Sequence, residues 1–179
     1  MQIESSIKLI DDILNEWKEI IGDDFEGYKN HVYRMVNYCF VLRKCTLEER
    51  KKIIIAGCFH DIGIWTEKTI DYISPSVLAA NQYLSENDLL EWKEEIGLMI
   101  KEHHKLNKCD NNELSLVETF RKGDLVDFSL GLIKSGVPKS FIKNIKNEIP
   151  NSGFHLGLIK KIGPWLLRNP LNPAPMFKW

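Results

Sequence analysis

Apolar residues recur along this chain three and four positions apart, and alternating strand-like stretches are nearly absent. Ile10, Ile13, Leu14, Trp17, Ile20 and Ile21 form the stripe of a first helix, with Gly22 as its stop. Tyr28, Val32, Met35, Val36 and Cys39 mark a second, and His31 falls within its stripe. Thr46 followed by Glu49 is a capping box that opens a third helix running toward His60, with Gly63 expected to end it. Ser74-Pro75 reads as an N-cap followed by a first-turn proline, starting a fourth helix through Val77, Leu78, Ala80 and Leu84. A fifth begins near Asp88 and carries Ile96, Met99 and Ile100 toward His103. After the polar stretch 107–112, a long sixth helix is expected from about Glu113 to Ser135, stopped by Gly136. Val137-Pro138 starts a seventh, which Pro150 ends, and an eighth spans about Gly153 to Leu167. The proline-rich tail from Asn169 to Pro175 cannot be helical and is expected to lie extended on the surface. The pattern predicts an all-α fold: a single-domain bundle of seven to eight helices over residues 1–179, with no internal repeat.

Composition narrows the partners. With 24 basic against 25 acidic residues, a net charge of -1 gives no general attraction to a nucleic-acid polymer or an anionic membrane. No apolar run approaches the ~20 residues that span a bilayer. The N-terminus MQIESSIKLIDD carries early acids and lacks the basic and apolar regions of a signal peptide, so a cytoplasmic location is expected. Cys39, Cys45, Cys58 and Cys109 form no CxxC pair and read as reduced thiols.

Chemistry concentrates in few residues. There are five histidines, and three of them, His31, His60 and His103, fall on the apolar stripes of separate helices. On the sixth helix Asp124 takes an apolar position on the face of Val117 and Phe120, with Asp127 one turn further on. A lone inward histidine is more often a hydrogen-bonded core residue than a ligand. Four inward ionisable groups on four helices favour a shared divalent metal, because each would otherwise need its own compensated niche. His60 and Asp61 are adjacent at the end of an apolar run, and a buried Asp needs a strong partner.

The order His31, His60-Asp61, Asp124 resembles the H…HD…D signature of the HD-domain superfamily, metal-dependent phosphohydrolases with an all-helical core. Ala56-Gly57-Cys58-Phe59-His60-Asp61-Ile62-Gly63 resembles that family's lead-in to HD-x-G, and Ile100 to His104 its I..HH segment. Lys122 to Asp127 resembles its AD..D segment, although Lys122-Gly123 departs from the usual small apolar residue before the acid. The resemblance covers about residues 28–130, leaving 137–179 as C-terminal helices and tail. It implies that His31, His60, Asp61 and Asp124 hold one divalent ion, for which mixed nitrogen and oxygen donors suit Mn, Fe, Co, Ni or Zn. It also implies that a water activated by the ion attacks phosphorus, with Asp61 touching both metal and nucleophile.

In several relatives a further histidine between the HD and HH pairs binds a second ion. Residues 69–76 hold no histidine, so one ion is expected rather than two. His103 and His104 are then candidates for binding phosphate or protonating the leaving group. Arg34, one turn after His31, and Lys105 and Arg121 are candidate phosphate binders. His155 lies outside the matched segment and is expected to pack or sit at the surface.

The expected activity is hydrolysis of a small phosphorylated molecule, nucleotides included. Two alternatives accompany it: a di-iron HD-domain oxygenase, and a non-catalytic module that binds a nucleotide or a metal. The apolar end Met176-Phe177-Lys178-Trp179 is expected to dock on the body or, in a homodimer, on a second copy.

Overall fold

The computed structural model describes residues 2–105 and 116–168. Every regular element among these residues is helical. The α-helices are α1 (Lys8–Glu16), α2 (Lys18–Ile21), α3 (Phe25–Leu42), α4 (Leu47–Phe59), α5 (Gly63–Thr66), α6 (Ile73–Glu86), α7 (Lys93–Glu102), α8 (Leu116–Phe128), α9 (Lys139–Glu148) and α10 (Phe154–Arg168). Eight of them have nine residues or more, as the apolar period predicts. The polar stretch 107–112, the expected start of the sixth helix, Cys109 and the proline-rich tail lie outside the described residues.

The α3 helix packs most extensively on α8 and also against α4. It is buried almost end to end, from Phe25 and Tyr28 through Val36 and Cys39. Gly123 makes the α3–α8 crossing close: a Cβ there would meet Cys39 Sγ and stand 3.0 Å from the Met35 carbonyl oxygen. The absent side chain lets the two helices set functional groups opposite each other. The capping box at Thr46 is present, with Glu49 N donating to Thr46 Oγ1 at 3.2 Å and Thr46 N to Glu49 Oε2 at 2.7 Å.

Several element boundaries differ from the sequence expectation. The first helix breaks at Trp17, whose ring meets Phe59 edge-on at 5.9 Å, and Ile20 is 51% exposed beyond the break. The fourth begins at Ile73 with Tyr72 as its cap, so Ser74 and Pro75 lie inside the first turn, and Leu78 faces outward. Gly63 does not end a helix but opens α5. A Cβ on it would strike the Tyr72 carbonyl oxygen, and its N–H donates to the buried Ser76 hydroxyl at 3.0 Å. The fifth starts at Lys93 after a 3-10 turn over Leu90–Trp92. The α8 helix ends at Phe128, well short of Ser135, because Leu130 and Gly131 turn to positive φ and their N–H groups close back on the Asp127 and Val126 carbonyls.

Candidate metal centre

Three helices supply the centre. His31 and Arg34 sit one turn apart on α3, Asp124 and Asp127 one turn apart on α8. His60 caps the C-terminus of α4, so Asp61 follows it into the turn before α5. All four expected ligands are buried, none more than 5% exposed. His31 Nε2 lies 3.1 Å from His60 Nε2 and 3.4 Å from Asp124 Oδ1. His60 Nε2 lies 3.2 Å from Asp61 Oδ2 and 3.7 Å from Asp124 Oδ1.

The remaining ring nitrogens fix which atoms face inward. His60 Nδ1–H donates to the Gly57 carbonyl at 2.8 Å, and a carbonyl can only accept. His31 Nδ1–H donates to Asp127 Oδ2 at 2.7 Å. Both Nε2 atoms therefore converge on the two carboxylates as potential ligands. A transition-metal sphere of about 2.1 Å radius spaces its donors roughly 3.0–3.4 Å apart, close to what these atoms show. His31, held by the Asp127 carboxylate behind it, is the arrangement that orients metal-ligating imidazoles in general. The buried His and Asp groups can hold a metal ion.

Charge supports the same fit. Burial works to raise the Asp61 pKa, but the His60 and His103 imidazoles outweigh it and hold the carboxyl well below its usual range. Asp124 is lowered too, His31 and the neighbouring imidazoles overcoming burial. Burial pulls His31 down, yet its bonds to Asp124 and Asp127 carry it up to about 9. Asp61 Oδ1 and His103 Nε2, both buried and 3.5 Å apart, have no hydrogen-bond partner. Two such atoms facing each other are costly without a third species between them.

That second point of convergence involves the histidine pair. Asp61, His103 and His104 offer ligand atoms within 4.8 Å of one another, sharing Asp61 with the first group. His103 Nδ1–H donates to the Ile100 carbonyl at 2.7 Å, which turns its Nε2 toward Asp61. Asp61 and Asp124 raise the His103 pKa against the effect of burial. His104 behaves oppositely: burial and the neighbouring His103 push it down to about 3, and its Nε2 is hydrogen-bonded to Tyr72 Oη. A neutral His104 is poorly suited to be the acid for a leaving group, whereas His103 suits that task.

The expected phosphate binders are placed elsewhere. Arg34 is 2% exposed and forks onto Asp127, with Nε and Nη2 each 2.7 Å from a carboxylate oxygen. Its Nη1 donates to the Pro150 carbonyl at 2.8 Å, so it supports the centre from behind rather than facing a substrate. Arg121 forks onto the buried Glu118 at 2.7 and 2.8 Å and donates to the Lys105 carbonyl. The Lys105 ammonium pairs with Glu102. None of the three lines the cavity over the centre.

That cavity has His31, Asp61, Asp124 and His104 at its floor. The α10 helix forms its roof. Phe154 lies flat on the His31 ring, centroids 4.1 Å apart and planes 9° apart. Gly27 permits this: a Cβ there would stand 3.0 Å from the Ser152 carbonyl and 3.1 Å from Phe154 N. Lys161 reaches from the roof to Asp24 at 2.6 Å, and Trp65 Nε1 donates to the same carboxylate at 2.9 Å. Sequence reasoning gave no role to Asp127, Tyr72 or Phe154. A signal for Asp127 existed in the matched pairs His31/Arg34 and Asp124/Asp127, each spaced by three. His155, expected to pack, bonds Asn151 at 2.5 Å and the Phe128 carbonyl at 3.1 Å.

Among the described residues no helix is long and apolar enough to cross a membrane. Compared with protein-family models, with curated proteins and with solved structures, the chain finds no significant match.

Proposed function

We propose that this protein is a metal-dependent phosphohydrolase of the HD type, acting on a small phosphorylated molecule. The observation that carries the reading is the convergence of His31 Nε2, His60 Nε2, Asp61 and Asp124 at the floor of a cavity. One ion held by those four residues, of Mn, Fe, Co, Ni or Zn type, supplies a water of lowered pKa and a positive charge for a phosphoryl oxygen. The residues do the rest. Asp127 fixes the His31 ring, and Arg34 keeps Asp127 ionised and still. Asp61 remains a carboxylate and can accept a hydrogen bond from the attacking water. His103, its pKa raised by Asp61 and Asp124 against burial, is placed to give a proton to the departing oxygen.

Phosphate release from a panel of phosphomonoesters and nucleotides, with Mn, Co, Ni or Zn added, tests this. Release should require metal and fall to background in Asp61→Ala, whose folding is checked by circular dichroism. Silence with every metal and every ester refutes the reading.

The Asp61, His103 and His104 group favours a second reading, in which these residues would hold a second ion. Paired irons would turn the same scaffold toward oxygen-dependent oxidation. Two irons per chain after anaerobic purification, together with oxygen uptake, would select it. One metal per chain with phosphate release selects hydrolysis, and ligand binding without turnover selects a non-catalytic module.

A further inference from the structure

The walls of the cavity over the metal centre differ in character from its floor. Above His31, Asp61, Asp124 and His104 the described lining is Ile64, Ile70, Phe128, Phe154, Leu158 and Ile162, with Tyr72 at the level of His104. Four of these apolar groups, Ile64, Ile70, Phe154 and Leu158, are themselves at most 8% exposed, so the surface belongs to the packed body and not to a ragged edge. The one cation in that lining is Lys161, whose ammonium is engaged by Asp24. Arg34 and Arg121, the arginines nearest the ligand-bearing turns, point into carboxylates behind the floor.

A ligand placed here meets two chemistries in sequence. Its anionic head would reach the floor, where ionic and imidazole groups are concentrated. Its body would meet mostly carbon, with the Lys161 ammonium already paired to Asp24. A ribose or a base edge would leave hydroxyl and amide groups unpaired against these walls, and an unpaired buried polar group is heavily penalised. A second or third phosphate would leave the floor without a described cation to meet it. An alkyl body gains from the same contacts, about three- to fourfold in affinity per methylene buried. The space between these walls is narrow, which limits the body to a short chain.

We propose that the ligand of this site is a phosphomonoester with a short alkyl body, and not a nucleotide. The inference rests on the phosphohydrolase reading for the head group and on the walls for the body. It assigns Ile162 and Leu158 of α10 to substrate selection.

Calorimetric titration of the full chain, loaded with Mn, against methylphosphonate, butylphosphonate, AMP and ATP tests it without requiring turnover. Butylphosphonate should bind at least about tenfold tighter than methylphosphonate, and tighter than either nucleotide. Ile162→Gln, at a half-buried position, should weaken butylphosphonate severalfold and leave methylphosphonate unchanged. Equal affinity for the two phosphonates, tighter binding of AMP or ATP, no binding of any probe, or equal weakening of both phosphonates by Ile162→Gln would each overturn it. Butyl phosphate and AMP are then offered as hydrolysable substrates. Faster release from AMP overturns the apolar ligand and leaves hydrolysis standing. Chain-length-dependent phosphonate binding with no release from any ester supports the apolar ligand and refutes hydrolysis.

Discussion

Asp127 is not one of the four expected ligands, yet it sets the state of one of them. Its carboxylate accepts the His31 Nδ1 proton with one oxygen and receives Arg34 on both. Burial would raise its pKa, and the two cationic partners instead hold it at about 2. Asp127→Asn should therefore lower metal affinity about 10- to 100-fold while the four ligands stay in place. It also leaves Arg34 buried with half its partner gone, at a cost of about 3–5 kcal/mol. Competition with a fluorescent chelator measures the first effect and urea unfolding the second; unchanged affinity would remove Asp127 from the centre. The buried placement of the candidate ligands is legible in the sequence because helical period places His31, His60 and Asp124 on apolar stripes. The task of Arg34 is not. A basic side chain one turn from a ligand suits a phosphate or a supporting carboxylate equally well, and only the register of α3 against α8 decides between them.

At the level of elements, period predicts where helices exist, while single dihedrals decide where they end. The break at Trp17 and the stop at Leu130 come from local backbone turns that apolar spacing does not encode. Gly123 shows the same limit in packing. In sequence it looks like a departure from a familiar motif. In the fold it is what lets α8 lie against Cys39 and the Met35 carbonyl. Gly123→Ala should push the two helices apart and cost about 1–3 kcal/mol, because one of the obstructing atoms is backbone and cannot rotate away. The same shift separates Asp124 from His31, so metal affinity should fall with stability. Equilibrium unfolding together with metal titration checks both; a variant as stable and as tight as the parent would mean that α3 and α8 can repack freely.

For the whole molecule, an ion bound at this centre would compete with the His31 proton for one place. Without metal, the folded state holds the His31 proton more tightly than the unfolded chain does, about 9 against 6.5. That contribution is complete below pH 6.5 and is lost as pH rises through about 9. Asp127 acts at the other end: its contribution is present above the ordinary carboxylate value of 3.8 and is lost as pH falls toward about 2. His104, held down to about 3, costs stability as pH falls below 6.5, so the chelated protein should be most stable near pH 6.5 and lose Tm steadily toward pH 9. A saturating ion displaces the proton and removes that decline. At a thousandfold excess over Kd it should also add about 4 kcal/mol, or roughly 8–16 °C in Tm. Thermal scans with chelator and with Mn across this range check the profile, and a chelated Tm that stays level from pH 7 to 9 would refute it. The hydrogen bond from Arg34 to the Pro150 carbonyl has a further consequence at this scale. One guanidinium grips both the carboxylate behind His31 and the strand of chain that leads into the roof. Filling the floor and seating the roof are thereby thermodynamically reciprocal: whatever factor the metal adds to ligand affinity through this grip, the ligand must return to the metal.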